Sequence, residues 1–192
     1  MINQIIPGTR LKKRATADDR NYIGLDFLSS VFSVTSGLVL SQIKELSGVD
    51  APALQNWIKR GWVANPVNRK YNIDQVARIL IINMLRPALM LEQIACILGY
   101  INFDADSDPE NEDYFPESRL YDLICKIIDL CTDDDNFKTK NLDMYISRAM
   151  REYNYLDPGK QTRVKNALKA VIAAYEATLL IDRSVSLIEN FE

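Results

Sequence analysis

Residues 51–71, APALQNWIKRGWVANPVNRKY, combine amide and basic side chains and contain no Asp or Glu. The amides of Gln55 and Asn56 can pair with adenine edges, whereas lysine and arginine suit phosphates and guanine. The basic residues form two pairs, at residues 59–60 and 69–70. This chemistry predicts a surface that meets a polyanion, and the alternative is a helical hairpin with a solvated basic face.

Other chemistry is largely excluded by composition. The chain has no histidine, which removes the commonest general base and metal ligand, and with it Ser-His and Cys-His catalysis. Cys96, Cys125 and Cys131 share no metal-ligand spacing, and each lies in an apolar helical pattern that predicts a buried, reduced thiol. We therefore predict no catalytic residue, no metal site and no cofactor, in a protein that is not an enzyme.

Residues 101–117, INFDADSDPENEDYFPE, hold seven acidic residues and no basic one. Three aspartates begin this segment at calcium-loop spacing, but Pro109 replaces the required glycine and Phe115 the closing glutamate. The segment predicts a solvated linker instead of a calcium site. Residues 1–100 hold 12 Lys and Arg against 7 Asp and Glu, whereas residues 101–192 hold 11 against 19, so the first half is the one expected to meet an anion.

The basic stretch must be positioned by the elements around it. The pattern LVLSQIKELSGVD predicts a helix that ends at Gly48, and a second helix begins at once with Asp50 as its N-cap. Leu54, Trp57 and Ile58 form the buried stripe of this second helix, and Gly61 ends it. Two short helices with a tight turn are typical of a helix-turn-helix. Tryptophans 57 and 62 are expected in the core.

Further helical patterns precede and follow this pair. They cover residues 22–34, two segments divided near Arg86 and Pro87, and three segments at 117–131, 142–153 and about 158–188. The last has a near-heptad apolar seam, which intramolecular packing or dimerisation would cover equally well. The seam consists of Val164, Leu168, Val171, Tyr175 and Leu179.

The segment SQIKELSGVDAPALQNWIKRGWVANPVNRKYNIDQVARILIINMLRPALMLEQIACILGY resembles the winged helix-turn-helix domain of MerR-type bacterial transcription regulators. The match lies in the order of its pieces: SGV, the helix ending in GWV, RKYN in the short wing, and the later LEQI. With its acidic C-terminal part, the chain is most similar to a bacterial family of MerR-like proteins of unassigned function. The resemblance implies a cytoplasmic DNA-binding protein, in which Arg69 and Tyr71 fall on wing positions, while Gln55 and Asn56 depart from the family pattern.

These observations predict an all-α protein with an N-terminal winged helix-turn-helix domain and a C-terminal helical domain. The expected divisions are a mobile basic arm at 1–20, the DNA-binding domain at 21–100, the acidic linker at 101–117 and the helical dimerisation or effector domain at 118–192. The expected function is that of a sequence-specific transcription regulator. The alternatives are a protein-interaction adaptor whose winged helix no longer binds DNA, and an enzyme with an acid-based site between the domains.

The predicted partner is double-stranded DNA, contacted by two sets of side chains. Base edges are expected to meet Gln55, Asn56 and Lys59, with Ala53 beside them. Phosphates are expected to meet Ser41, Lys44, Arg60, Asn68, Arg69 and Lys70. A homodimer through the seam of the last helix would bind two half-sites. No apolar run reaches membrane-spanning length, so no membrane partner is expected, and a small-molecule effector stays open.

Overall fold

The computed structural model of the chain describes residues 5–12, 23–103, 114–133, 136–189 and 191. Over these residues it contains eight α-helices, one 3-10 helix and two strands of two residues each, so the predicted all-α class is confirmed. The helices are α1 (Gly24–Phe32), α2 (Leu40–Ser47), α3 (Ala51–Lys59), α4 (Ile73–Leu85), α5 (Leu91–Ile101), α6 (Glu117–Cys131), α7 (Leu142–Ala149), the 3-10 helix (Met150–Tyr153) and α8 (Pro158–Glu189). The strands β1 (Thr132–Asp133) and β2 (Asn136–Phe137) pair antiparallel, with Thr132 opposite Phe137.

Helix ends follow from local hydrogen bonds. The Asp50 carboxylate accepts the Ala53 N–H at 2.7 Å and begins α3, as predicted. At the end of α3, Gly61 has φ 75° and donates its N–H to the Ile58 carbonyl, while the Trp62 N–H reaches the Trp57 carbonyl. This Schellman motif satisfies carbonyls that the helix leaves unpaired. The carboxylate of Asp157 likewise accepts the N–H groups of residues 159 and 160 at the beginning of α8.

The core is built around α4, which is buried on almost every side. This helix packs against α1, α2, α5, α6 and α8, and α6 in turn packs against α1, α7 and α8. A single apolar cluster therefore runs through both of the predicted domains. An ion pair joins them as well, since Arg78 on α4 contacts Glu117 on α6 at 2.6 Å. Of the predicted linker, residues 104–113 lie outside the described residues.

Residues 5–12 lie against the core, in a region where the sequence predicts a mobile arm. Ile6 and Thr9 are buried, and the Tyr121 hydroxyl on α6 donates to the Pro7 carbonyl at 2.7 Å. Gly8 has φ 73°, and a Cβ added there would lie 2.3 Å from the Leu80 carbonyl oxygen. The remainder of the predicted arm, residues 1–4 and 13–20, lies outside the described residues.

The seam of α8 belongs to the core of the protomer. Val164, Leu168 and Val171 are fully buried, Tyr175 is 9% exposed and Leu179 is half-buried. These side chains pack towards α4, α5, α6 and α7, so they are not available as the contact surface of the predicted homodimer. The later residues 180–189 are exposed.

The three thiols do not share one environment. Cys125 and Cys131 are buried, as predicted, but Cys96 is exposed, because residue 96 of α5 lies away from the faces carrying Ile94, Leu98 and Ile101. Burial, with the nearby Glu176 carboxylate, raises the pKa of Cys131 to about 11. Among the helices that the structure describes, none is both long and apolar enough to cross a membrane.

Candidate nucleic-acid interface

Helices α2 and α3 are joined by a connection of three residues that Gly48 makes possible. Gly48 has φ 75° and donates its N–H to the Lys44 carbonyl at 2.8 Å, which ends α2. A residue with a side chain adopts this left-handed conformation only at a cost, so glycine suits the position. Val49 is buried beneath the turn, and Asp50 then begins α3. The predicted order of helix, turn and helix is therefore present.

Helix α3 buries one face and exposes the other. Leu54 and Trp57 are buried, which confirms that Trp57 is a core residue. Positions 52, 55, 56 and 59 recur at helical spacing and are all exposed. Gln55, Asn56 and Lys59 thus share one solvent-facing surface. Ala53 is half-buried and packs against the core, so the structure does not place it on that surface.

Helix α2 adds two of the predicted phosphate-binding residues. Ser41 and Lys44 are exposed and lie three residues apart, which places them on the same side of the helix. Ile43 and Leu46 are buried on the opposite side and hold α2 against α4.

The loop after α3 ends in a two-residue turn. Val67 and Lys70 form a bridge around Asn68 and Arg69, whose φ angles are 50° and 62°. Two consecutive positive φ angles are typical of a type I′ turn. Asn68, Arg69 and Lys70 are exposed at this tip, so the structure brings the three predicted loop residues together.

The base of the loop is held on the segment that precedes α2. Leu38 and Tyr71 exchange backbone hydrogen bonds of 3.0 and 2.8 Å. Closer to the tip, the Lys70 Nζ donates to the Ser36 hydroxyl at 3.3 Å. Tyr71 is 4% exposed, and burial raises the pKa of its hydroxyl. These contacts fix the tip relative to α2.

Two side chains of α4 support the first part of the loop, and sequence reasoning did not identify either. The Gln75 amide donates to the carbonyls of Ala64 and Asn65 at 3.1 and 3.0 Å. The Arg78 Nε donates to the Trp62 carbonyl at 2.5 Å while the same guanidinium pairs with Glu117. Their only sequence signal is that they are two of the four polar residues, with Asp74 and Asn83, in an otherwise apolar helix.

Arg60 has two neighbours, an aromatic ring and a carboxylate. Its guanidinium lies 5.2 Å from the centre of the Trp62 ring, and it pairs with Glu92 of α5 at 3.7 Å. Both charged side chains are more than half exposed, so water screens this ion pair. Trp62 is half-buried, which makes it the platform for Arg60 as well as a contact of the core.

The surface made by α2, α3 and the loop carries more basic than acidic side chains. We call it the basic surface: Ser41, Lys44, Gln55, Asn56, Lys59, Arg60, Asn68, Arg69 and Lys70. The nearby carboxylate of Asp50 is directed at the N-terminus of α3, where the helix dipole and the Ala53 N–H offset its charge. Exposed amides between exposed cations can bind a polyanion and read polar edges at the same time.

A second polar region is a cleft of about 380 Å³ between α1, α6 and the 3-10 helix, and it bears on the acid-based enzyme alternative. Its buried carboxylate, Asp122, accepts the Leu25 N–H at 3.0 Å and pairs with Lys126 at 2.9 Å. Both contacts stabilise the packing of α1 on α6. Across the described residues, no group of three or more His, Cys, Asp and Glu could hold a metal ion.

Comparison with known protein families finds a match between residues 25–123 and a family model described as Domain of unknown function (DUF1836). The matched segment covers just over half of the 192 residues and runs from α1 into α6, across the predicted linker. No MerR-like or helix-turn-helix family matches, so the resemblance to MerR-type regulators is wrong as a family assignment. Two of the pieces behind it, SGV and GWV, are the glycine-containing ends of α2 and α3, and glycine is common at the ends of helices in general. No curated protein matches the chain, and no solved structure does.

Proposed function

The chain belongs to the DUF1836 family of domains of unknown function, and we propose that it binds double-stranded DNA through its basic surface as a sequence-specific transcription regulator. The observation that carries the proposal is the division of α3. One face of this helix is buried, while the other presents Gln55, Asn56 and Lys59 beside the exposed tip at residues 68–70. In this proposal, α2, α3 and the loop act together as a winged helix-turn-helix.

We place α3 in the major groove, which is wide enough for an α-helix. The amides of Gln55 and Asn56 would read base edges, since each can donate and accept a hydrogen bond at adenine. Lys59, one turn further along the same face, would reach guanine or the adjacent phosphate.

Phosphates would be held on both sides of α3. Ser41 and Lys44 supply the contacts from α2, and Arg60 supplies one from the end of α3. Asn68, Arg69 and Lys70 supply those from the loop tip, which acts as the wing. Contacts of this kind position a protein on the duplex and make its affinity dependent on salt.

A homodimer is the second part of the proposal, because two half-sites raise both affinity and specificity. The seam of α8 is buried in each protomer, so the contact between protomers would use other residues. Light scattering would give a mass near twice 21.9 kDa if the protein is a dimer. A mass of 21.9 kDa for the free protein, and the same protein mass in the DNA complex after the mass of the DNA is subtracted, would contradict this part.

A protein-interaction adaptor is the alternative function, and one observation favours it. The end of α8 exposes a row of apolar side chains that are 49–62% accessible: Leu180, Val185, Leu187 and Ile188. Exposed apolar groups of this kind are typical of surfaces that contact other proteins.

Selection of bound fragments from a pool of genomic duplex DNA tests the proposal. We expect one sequence to be enriched. We also expect Arg69→Ala with Lys70→Ala to weaken binding and to lower the salt slope, the magnitude of the slope of log K against log salt, by about two. Lys140→Ala with Arg151→Ala is the matched control, because it removes an equal number of exposed positive charges, two, near α7 and away from the basic surface. If no sequence is enriched and both double variants keep the wild-type slope, the adaptor hypothesis replaces the regulator.

A further inference from the structure

Residues 5–12, which we call the clip, are hydrogen-bonded to α4 and to the end of α2. The Asn83 side-chain amide donates both to the Gly8 carbonyl at 2.9 Å and to the Ser47 carbonyl at 2.8 Å. It thereby joins the clip, the end of α2 and α4 through one side chain. The Arg10 N–H adds a hydrogen bond of 2.9 Å to the Leu46 carbonyl. The backbone of Arg10 is therefore held beside the end of α2.

The guanidinium of Arg10 lies against the α2–α3 turn. A Cβ added to Gly48 would lie 2.0 Å from the Arg10 Nε and 2.6 Å from its Cζ. Glycine at position 48 is favoured by its φ of 75°, and the absence of a Cβ there also leaves room for this flexible side chain. Arg10 is exposed to solvent even though its guanidinium lies against Gly48.

The Arg10 guanidinium lies beside Gly48, at the C-terminal end of α2. Ser41 and Lys44 lie on one side of α2 with the exposed Glu45 beside them, and Gly48 follows directly after the last residue of the helix. Gly48 itself offers no side chain, and the Arg10 guanidinium occupies the space where one would be. An exposed cation thus lies at the C-terminal end of α2, about 6 Å along the helix axis from Lys44, which the proposed function directs at phosphates.

We propose that Arg10 is a further phosphate-binding residue, through which the clip contacts the DNA backbone beside the α2–α3 turn. The proposal rests on the proposed function of the basic surface. Arg10 and the nearby exposed Lys12 would extend the contact to a part of the backbone that neither α3 nor the loop tip reaches.

A purely structural role is the alternative for Arg10. A cation near the last turn of α2 interacts favourably with the helix dipole. Such a role predicts lower stability after substitution and no change in the number of DNA charges contacted. Binding and stability must therefore be measured on the same variants.

The experiment measures the affinity of the full chain for a labelled random-sequence duplex at a series of salt concentrations. We expect Arg10→Gln to weaken binding and to lower the salt slope by about 1, and Arg10→Lys to keep the slope close to that of the wild type. Arg151→Gln, which removes an exposed arginine near α7, is the control and should leave the slope unchanged. Urea unfolding of each variant shows whether the fold is retained.

The outcomes separate this inference from the proposed function. If Arg10→Gln keeps the wild-type slope while Arg69→Ala with Lys70→Ala lowers it, the basic surface binds DNA and the role of Arg10 is overturned. A lower urea midpoint for Arg10→Gln with an unchanged slope assigns Arg10 to the helix end alone. If neither variant changes the slope, the proposed function fails together with the role of Arg10.

Discussion

Arg69 occupies a backbone conformation that its residue type disfavours. A side chain with a Cβ costs about 1–2 kcal/mol in the left-handed region, although asparagine tolerates it better than most residues. The turn has Asn68 at φ 50° and Arg69 at φ 62°, where the commonest pair for a type I′ turn is Asn-Gly. The basic side chain at the tip is therefore present at the expense of local backbone energy, which favours a role for that side chain in binding.

Arg69→Gly should accordingly separate stability from binding. Glycine removes the strain, but the unfolded chain gains entropy, so we expect the free energy of unfolding to rise by up to about 1 kcal/mol. DNA affinity should fall, because a phosphate contact is lost. Urea unfolding and salt-dependent DNA binding measure the two effects.

Asn68→Gly is the control for this substitution, because it changes the same turn and keeps the arginine. It should leave the salt slope at the wild-type value. A decrease in stability for Arg69→Gly would show that the φ of 62° is not a strained conformation at this position.

At the scale of the elements, the end of α3 is coupled to the beginning of α5. Arg60 lies over Trp62 and pairs with Glu92, so the last cation of α3 already has a neutralising neighbour in the free protein. An ion pair this exposed contributes little to folding stability. In the proposed function its main consequence is for DNA binding, since a phosphate would compete with the Glu92 carboxylate for the guanidinium.

We expect Glu92→Gln to tighten DNA binding and to leave the free energy of unfolding within about 0.5 kcal/mol of the wild type. Removing the carboxylate releases Arg60 and removes a charge that repels phosphates. Fluorescence anisotropy at low and moderate salt measures the change, which should shrink as salt increases. Glu189→Gln removes the same charge at the exposed end of α8 and should have a smaller effect. Equal gains for both variants would mean that only net charge matters.

At the scale of the molecule, one core serves both halves of the chain. Helix α4 packs against helices from both sides of the predicted linker, and the Arg78–Glu117 pair crosses the same boundary. The family match also crosses it, because residues 25–123 include half of α6. This packing favours a single folding unit over two independent domains.

Unfolding should therefore be a single cooperative transition. The fluorescence of Trp57 and Trp62 reports on the region of the basic surface. The far-UV circular dichroism signal comes from all eight helices, of which α6 and α8 are the longest. We expect the two signals to give the same urea midpoint. Arg78→Met should lower that midpoint for both signals together, because it leaves the buried Glu117 carboxylate without its ion-pair partner and with only the Tyr114 hydroxyl donating to it. Separate midpoints would instead support the division at residues 101–117.

The sequence by itself determined local features: the bounds of helices, their caps and their exposed faces. The helix predicted over residues 117–131 has the same first and last residues as α6. Asp50 is the N-cap of α3 and Gly61 follows its C-terminal end, as predicted. Caps, turns and amphipathic faces depend on residues three or four positions apart, so they can be recognised without knowledge of the rest of the chain. The exposed positions of Gln55, Asn56 and Lys59 follow from the same periodicity.

Only the tertiary structure decided which surfaces meet. The apolar seam of α8 was compatible with a dimer or with the core, and the position of α8 against α4, α5 and α6 places it in the core. Arg10 reaches Gly48 across 38 positions of sequence, and Cys96 is exposed although its pattern predicted burial. A periodic pattern specifies that a face needs a partner and leaves the partner unspecified, because hydrophobic contact is not directional.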